Sequence, residues 1–118
     1  MTTNDRNDNA PVAVVTGAAR GIGLGIAQWF LARGWRVAAW DNDAETLAAA
    51  AQTLAAPDRV LALHTDVSQP DQVDSATART AAHFGRIDAL VNNAGVATFK
   101  PTLDTSFDEW RWVMATNL

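Results

Sequence analysis

Val12 to Thr16 is an unbroken run of small and β-branched residues that stops at Gly17. That pattern suits a strand buried on both faces rather than an alternating edge strand. Beyond Gly17 the period lengthens: Ile22, Ile26 and Phe30 recur every four residues, supported by Ala27 and Leu31. They predict a helix packed on that stripe and closed by a left-handed cap at Gly34. The rhythm then repeats. Arg36 to Trp40 reads as a strand ending at Asp41, and Leu47, Ala50, Ala51 and Leu54 mark a helix stopped by Pro57. Val60 to His64 makes a third strand. Ser68 as N-cap, Pro70 in the first turn, and Val73, Thr77, Ala81 and Phe84 outline a third helix closed by Gly85. Ala89 to Asn92 is a fourth strand. Ser106 and Glu109 have capping-box spacing, and the helix after them carries Phe107, Trp110, Met114 and Asn117 on one side.

Four strand–helix alternations with short connections imply parallel pairing, right-handed crossovers and a doubly wound, three-layer α/β sheet. Residues 1–10 are expected to be a disordered tail, because Met1 to Asn9 holds no apolar residue after the first. Residues 11–118 then form a single domain, since 118 residues fall short of a second one at roughly 150 residues per domain. Nine Lys plus Arg against thirteen Asp plus Glu give a net charge of −4, which leaves no basic surface for nucleic acid. Cysteine is absent, so no disulfide or thiolate chemistry is available. No apolar run approaches the roughly 20 residues of a membrane span, and a soluble cytoplasmic chain is expected. His64 reads as strand packing and His83 as helix surface; they lack ligand spacing, and no metal site is expected.

The candidate chemistry lies where strands end. Thr16-Gly17-Ala18-Ala19-Arg20-Gly21-Ile22-Gly23 stands between the first strand and the first helix. Glycines there let a ligand approach the main chain, and free N–H groups with the helix dipole attract a pyrophosphate. The alternative is a tight glycine-rich turn, but the strand-before, helix-after context favours a dinucleotide. The spacing is G-x-x-x-G-x-G rather than G-x-G-x-x-G. Asp41, eighteen residues after Gly23, is placed to accept from the adenosine ribose hydroxyls or to cap the next helix, a task Asn42 or Asp43 can perform instead. A 2′-phosphate there would meet the carboxylate, and like charges about 4 Å apart repel by up to ~4 kcal/mol at an effective dielectric of about 20. NAD is therefore preferred over NADP. Arg20 pulls the other way, as a cation for that phosphate, unless it is solvated or paired with a neighbouring carboxylate. Asp66 and Val67 can meet an adenine or form an ordinary turn before Ser68. Asn92-Asn93-Ala94-Gly95 ends the fourth strand at the topological switch point, as ligand site or as Asx turn. Asn117 satisfies either a backbone group or something held in the crevice.

In order and spacing, the glycine loop at 16–23, Asp41, Asp66-Val67, Asn92-Asn93-Ala94-Gly95 and Asn117-Leu118 resemble the short-chain dehydrogenase/reductase family, over nearly the whole chain. The resemblance implies a Rossmann-type domain that binds NAD(P) and transfers hydride to or from an alcohol or carbonyl carbon. It implies cofactor contacts at Thr16, Gly17, Arg20, Gly21, Ile22, Gly23 and Asp41, adenine contacts at Asp66 and Val67, and nicotinamide-side ribose contacts along Asn93, Ala94 and Gly95. Asn117 corresponds to the family's catalytic asparagine. The family's serine and Tyr-x-x-x-Lys pair have no counterpart: the chain contains no tyrosine, and its only lysine is Lys100. The sequence thus resembles the amino-terminal, cofactor-binding half of such an enzyme, truncated after about four strands, inactive alone and a dimer or tetramer when full-length. The contrasting reading is a non-catalytic dinucleotide sensor or interaction fragment.

Overall fold

The structure, a computed structural model, describes residues 9–95 and 106–117, without the side chains of 112, 113 and 117. Eight elements follow in strict alternation: β1 Val12–Thr16, α1 Gly21–Ala32, β2 Arg36–Asp41, α2 Ala44–Leu54, β3 Val60–His64, α3 Pro70–Phe84, β4 Ala89–Val91 and α4 Phe107–Asn117. The four strands form one parallel sheet in the order β3-β2-β1-β4. This is the Rossmann-like α/β architecture that the alternation predicts. β4 ends at Val91, so Asn92 lies just beyond the strand rather than in it.

Every residue of β1 is buried, because the strand is central and both its faces are covered. Its side chains alternate between two cores. Val15, with Val37 and Ala39 of β2, packs under Ala27 and Leu31 of α1 and Leu47 of α2. Val12 and Val14, with Ala38 and Trp40, pack on the other face against Ala76 and Phe84 of α3. Helices α1 and α2 therefore cover one face and α3 the other, so the chain changes sides between β3 and β4.

Two helices present a different face from the one their apolar spacing predicts. In α1 the buried residues are Gly23, Ala27 and Leu31; Ile26 and Phe30 are only partly buried, and Ile22 is 76% exposed. Small residues win the sheet-facing positions because α1 approaches the glycine loop closely, and the bulky stripe lies beside Val91 of β4. In α3 the buried face is Ala76, Thr80 and Phe84, while Thr77 and Ala81 are exposed. Thr80 escapes a hydropathy reading because its hydroxyl is satisfied internally: it donates to the Ala76 carbonyl (2.7 Å) and accepts from the Trp40 indole N–H (3.4 Å). A buried indole needs such a partner.

Helix ends hold further differences. Gln69, not Ser68, is the N-cap of α3, with Pro70 at the first helical position. The Ser68 hydroxyl instead donates to Asp66 Oδ1 at 2.7 Å. α4 begins as predicted, with the Glu109 N–H donating to the Ser106 hydroxyl at 3.0 Å, but its Phe107, Trp110 and Met114 are exposed rather than packed. His83 is on the surface as expected. His64 is exposed as well, and its Nε2 lies 3.0 Å from the Asn42 carbonyl, so it joins a loop rather than packing in the strand. Ala10, inside the segment expected to be a tail, is buried: its carbonyl accepts from Nε and Nη2 of the buried Arg36 at 3.2 and 2.8 Å. Residues 1–8 lie outside the described residues.

Candidate dinucleotide site

The carboxyl ends of all four strands point to the same edge of the sheet, and the chain's change of side falls at β1 and β4. There a crevice of about 480 Å³ opens, within the usual span of ligand pockets. Gly17, Arg20, Gly21 and Ile22 line it from the β1–α1 loop, Trp40, Asp41 and Asn42 from β2, and Thr65, Asp66 and Val67 from β3. Asn93, Ala94 and Gly95 follow from β4, and Thr116 from α4. The crevice thus collects residues from four of the five segments that the sequence singles out; next to the fifth, Thr116 lines it, while the Asn117 side chain and Leu118 lie outside the described residues.

The glycine loop is shaped by what it must pass. Gly17 has φ +64°, and a Cβ there would stand 3.0 Å from both the Ala94 Cα and the Asn93 Nδ2. A Cβ on Gly23 would overlap the Gly17 carbonyl and come within 2.6 Å of Asn93 Nδ2. Only glycine permits α1 to start this close to the strand end. The loop is then tied down from both sides. The Ala18 N–H donates to the Trp40 carbonyl at 3.2 Å, the Ala19 N–H to Asp41 Oδ2 at 3.0 Å, and the Asn93 side-chain N–H to the Gly17 carbonyl at 3.2 Å.

Thr16 is buried beneath the loop. Its hydroxyl donates to the Val91 carbonyl (3.3 Å) and accepts from the Asn93 and Ala94 N–H groups (3.0 Å each). That is the full capacity of a hydroxyl, one donor and two lone pairs. Thr16 therefore shapes the floor and is not among the residues lining the crevice.

Helix α1 begins after Arg20 with no side-chain cap and no acidic residue in its first turn. The first N–H groups of a helix have no intrahelical partner, and the helix dipole makes that end positive. Here both are left available at the wall of the crevice. Asp41, at the end of β2, holds the Asp43 N–H with Oδ1 at 3.0 Å in addition to the Ala19 N–H on Oδ2. Each carboxylate oxygen keeps a lone-pair site beyond these bonds. The N-cap of α2 is Asp43, whose Oδ1 accepts from the Thr46 N–H at 3.1 Å, so Asp41 is released from capping. Asp43 Oδ2 also meets Arg20 Nη2 at 2.6 Å. The Thr46 backbone bond, aided by Arg20, holds the Asp43 carboxyl below its ordinary value of 3.8.

Asp66 does form the turn that its position allowed: Oδ1 accepts from both the N–H and the hydroxyl of Ser68. It nonetheless borders the crevice, with Val67 beside it packed partly on the α3 core. Four lining residues are not marked as site residues in the sequence, among them Asn42, which reads only as a possible cap of α2. Trp40 and Thr65 are buried strand-end residues whose types suit a core equally well, and nothing in their spacing separates the two roles. Thr116 neighbours Asn117 and carries no motif of its own.

The residues present fit a dinucleotide: glycines at the two positions where a Cβ would collide, an open helix terminus, and an acid at the end of β2. Known proteins agree with this fit. The family model described as short chain dehydrogenase matches residues 11–118. The chain is 54% identical over 87 residues to 2-(R)-hydroxypropyl-CoM dehydrogenase of Xanthobacter autotrophicus, covering 72% of this chain and 35% of that protein. It superposes with a TM-score of 0.88 at 34% identity on a short chain dehydrogenase/reductase from Burkholderia phymatum in complex with NAD, covering 92% of this chain and 39% of that one. A metagenomic short-chain oxidoreductase in complex with NADP gives a TM-score of 0.85 at 38% identity, with 92% and 50% covered. The chain thus spans at most about half the length of these relatives. With the fold, the crevice and these likenesses in agreement, the chain belongs to the short-chain dehydrogenase family.

Proposed function

We propose that residues 11–118 form the cofactor-binding half of an NAD(P)-dependent oxidoreductase, with NAD preferred over NADP. The observation that carries this reading is the open amino terminus of α1, set against glycines that no other residue can replace and facing a carboxylate released from capping. In this reading the Gly21, Ile22 and Gly23 N–H groups hold the pyrophosphate, and Asp41 accepts from the adenosine ribose hydroxyls. Asp66 and Val67 flank the adenine, and the Asn93 to Gly95 backbone borders the nicotinamide-side ribose. Arg20 is engaged by Asp43, which removes the main argument for NADP. When bound, the nicotinamide supplies a hydride acceptor or donor for an alcohol or carbonyl carbon. Asn117 is proposed as the catalytic asparagine, at the end of the helix whose Thr116 borders the crevice.

The chain has no tyrosine, and Lys100 is its only lysine, so these residues by themselves lack the side chains that the resemblance assigns to proton transfer. Binding without turnover is the expectation for this chain, and an alcohol or carbonyl dehydrogenase, oligomeric, the expectation for a protein that also contains them. Titration calorimetry of the full chain with NAD and with NADP tests the reading. Saturable binding with NAD the tighter ligand supports it; no heat with either dinucleotide, or NADP tighter, overturns it. Turnover of NADH by the pure 118-residue chain would overturn the division of labour.

A further inference from the structure

We propose that Asp43 is a positioning residue for cofactor choice: its ion pair holds the Arg20 guanidinium against the start of α2 and so withholds it from a 2′-phosphate. The inference rests on the dinucleotide reading above and adds a specificity determinant outside the crevice lining.

Arg20 is the only cationic side chain among the described residues that line the crevice. A guanidinium beside the ribose end of a dinucleotide is the natural partner of an added phosphate. In this structure that partner is already taken. Arg20 Nη2 meets Asp43 Oδ2 at 2.6 Å and Thr46 Oγ1 at 3.4 Å. An exposed pair between two mobile side chains is worth little, but here one partner is fixed before the pair forms. Asp43 is the α2 N-cap, its Oδ1 held by the Thr46 N–H and its own N–H held by Asp41. The other partner's backbone is restrained as well, because the preceding Ala19 N–H is bound by Asp41 Oδ2. One carboxylate, Asp41, thus sets the loop and the cap, and the next, Asp43, fixes where the loop's cation points. A 2′-phosphate would meet Asp41 without a free cation to offset it.

The test is calorimetric titration of the full chain and its Asp43→Asn variant with NAD and NADP. Asn keeps an oxygen for the Thr46 N–H and remains a good cap, so the ion pair is what is lost. Asp43→Ser, also a good cap, serves if Asn lowers the melting temperature. The expected result is a rise of about tenfold in NADP affinity, the scale of one charge-assisted hydrogen bond, with NAD affinity within about twofold of the unsubstituted chain. The rise should shrink as salt is raised toward 1 M, where the screening length falls to about 3 Å. In the Arg20→Ala/Asp43→Asn double variant the gain over Arg20→Ala should vanish. A gain that persists there would mean that Asp43 acts by its own charge, which overturns the inference; so would an unmoved NADP affinity beside intact NAD binding. Failure of the unsubstituted chain to bind either dinucleotide overturns the proposed function and this inference together.

Discussion

The amino termini of α1 and α2 stand side by side at the same edge of the sheet and are finished in opposite ways. α2 is closed: Asp43 caps it through the Thr46 N–H, and Glu45 adds a negative charge to its first turn. α1 is open, with Arg20 at its N-cap, no side-chain bond to its first N–H groups and no acid in its first turn. A capping side chain contributes about 1 kcal/mol; α3 also lacks a side-chain cap bond, but it has Pro70 at its first position and Asp71 in its first turn, and α1 has neither. In the proposed reading, leaving α1 unfinished forgoes that stability in exchange for a ligand's anion. Asp41 joins the two ends, because it binds the loop before α1 through Ala19 and the cap of α2 through Asp43.

The most damaging way to break the contrast is to crowd the open terminus. Gly23→Ala drives a Cβ into the Gly17 carbonyl, and we expect it to cost about 3 kcal/mol, the upper end for overpacking, and to abolish dinucleotide binding. Chemical denaturation and NAD titration check both, and wild-type affinity in this variant would show that the loop relaxes freely. Asp41→Ala should weaken NAD binding by about tenfold, the value of a hydrogen bond to a charged group, and NADP binding by less; equal losses would refute the ribose assignment. Asp43→Ala opens α2, with an expected stability loss of about 1 kcal/mol, read as a lower urea midpoint. The converse change, Arg20→Ser, gives α1 the cap it lacks. It should raise stability by a few tenths of a kcal/mol, net of the lost surface pair, read as a higher urea midpoint, while weakening NAD binding.

The smallest effect is on acid stability. Asp88 accepts from the Val12 N–H and from both Nε and Nη2 of Arg86, and the Arg86 bonds, then the Val12 bond, hold its carboxyl below 3.8. Asp43 is lowered in the same direction. For carboxyls depressed on folding, the contribution is complete above the unfolded value of 3.8 and is lost as pH falls through the lower folded value. Asp88→Asn should therefore flatten the acid limb of the stability curve below pH 4 and leave its shape near neutrality alone. An unchanged acid limb would remove Asp88 from that account.

Legibility of the fold in the sequence is high where one local cause decides. β1 and β3 begin and end where hydropathy and turn residues put them, because Gly17 and the neighbouring polar positions stop the runs abruptly. Gly34 and Gly85 take φ +83° and +82°, as helix-closing glycines do. It falters where packing overrides spacing. The stripe Ile22, Ile26 and Phe30 has the right period, yet the sheet takes Gly23, Ala27 and Leu31, a preference created by the close approach at Gly17 and invisible in hydropathy. Thr80 is hidden for the opposite reason, since its polar character is cancelled by Trp40 and Ala76, partners distant or backbone. At the site, residue type and position expose Asp41 and the glycines. The Arg20–Asp43 pairing is left among several options, because only the folded geometry of two loops decides which carboxylate an arginine meets.

The saturated hydroxyl of Thr16 carries a further consequence. Its three bonds join positions 75 to 78 residues apart in sequence, so the floor of the crevice cannot exist until the segment after β4 has docked beside β1. Closing so long a loop is a late and cooperative step, since its entropy cost precedes any reward. A ligand that binds only the completed crevice then stabilises the native ensemble in proportion to the logarithm of its concentration. Under the proposed function, titrating the dinucleotide reports on the docking of β4 beside β1, and a hydrogen-exchange experiment with and without it should protect Val91 and Asn93 as strongly as the glycine loop itself.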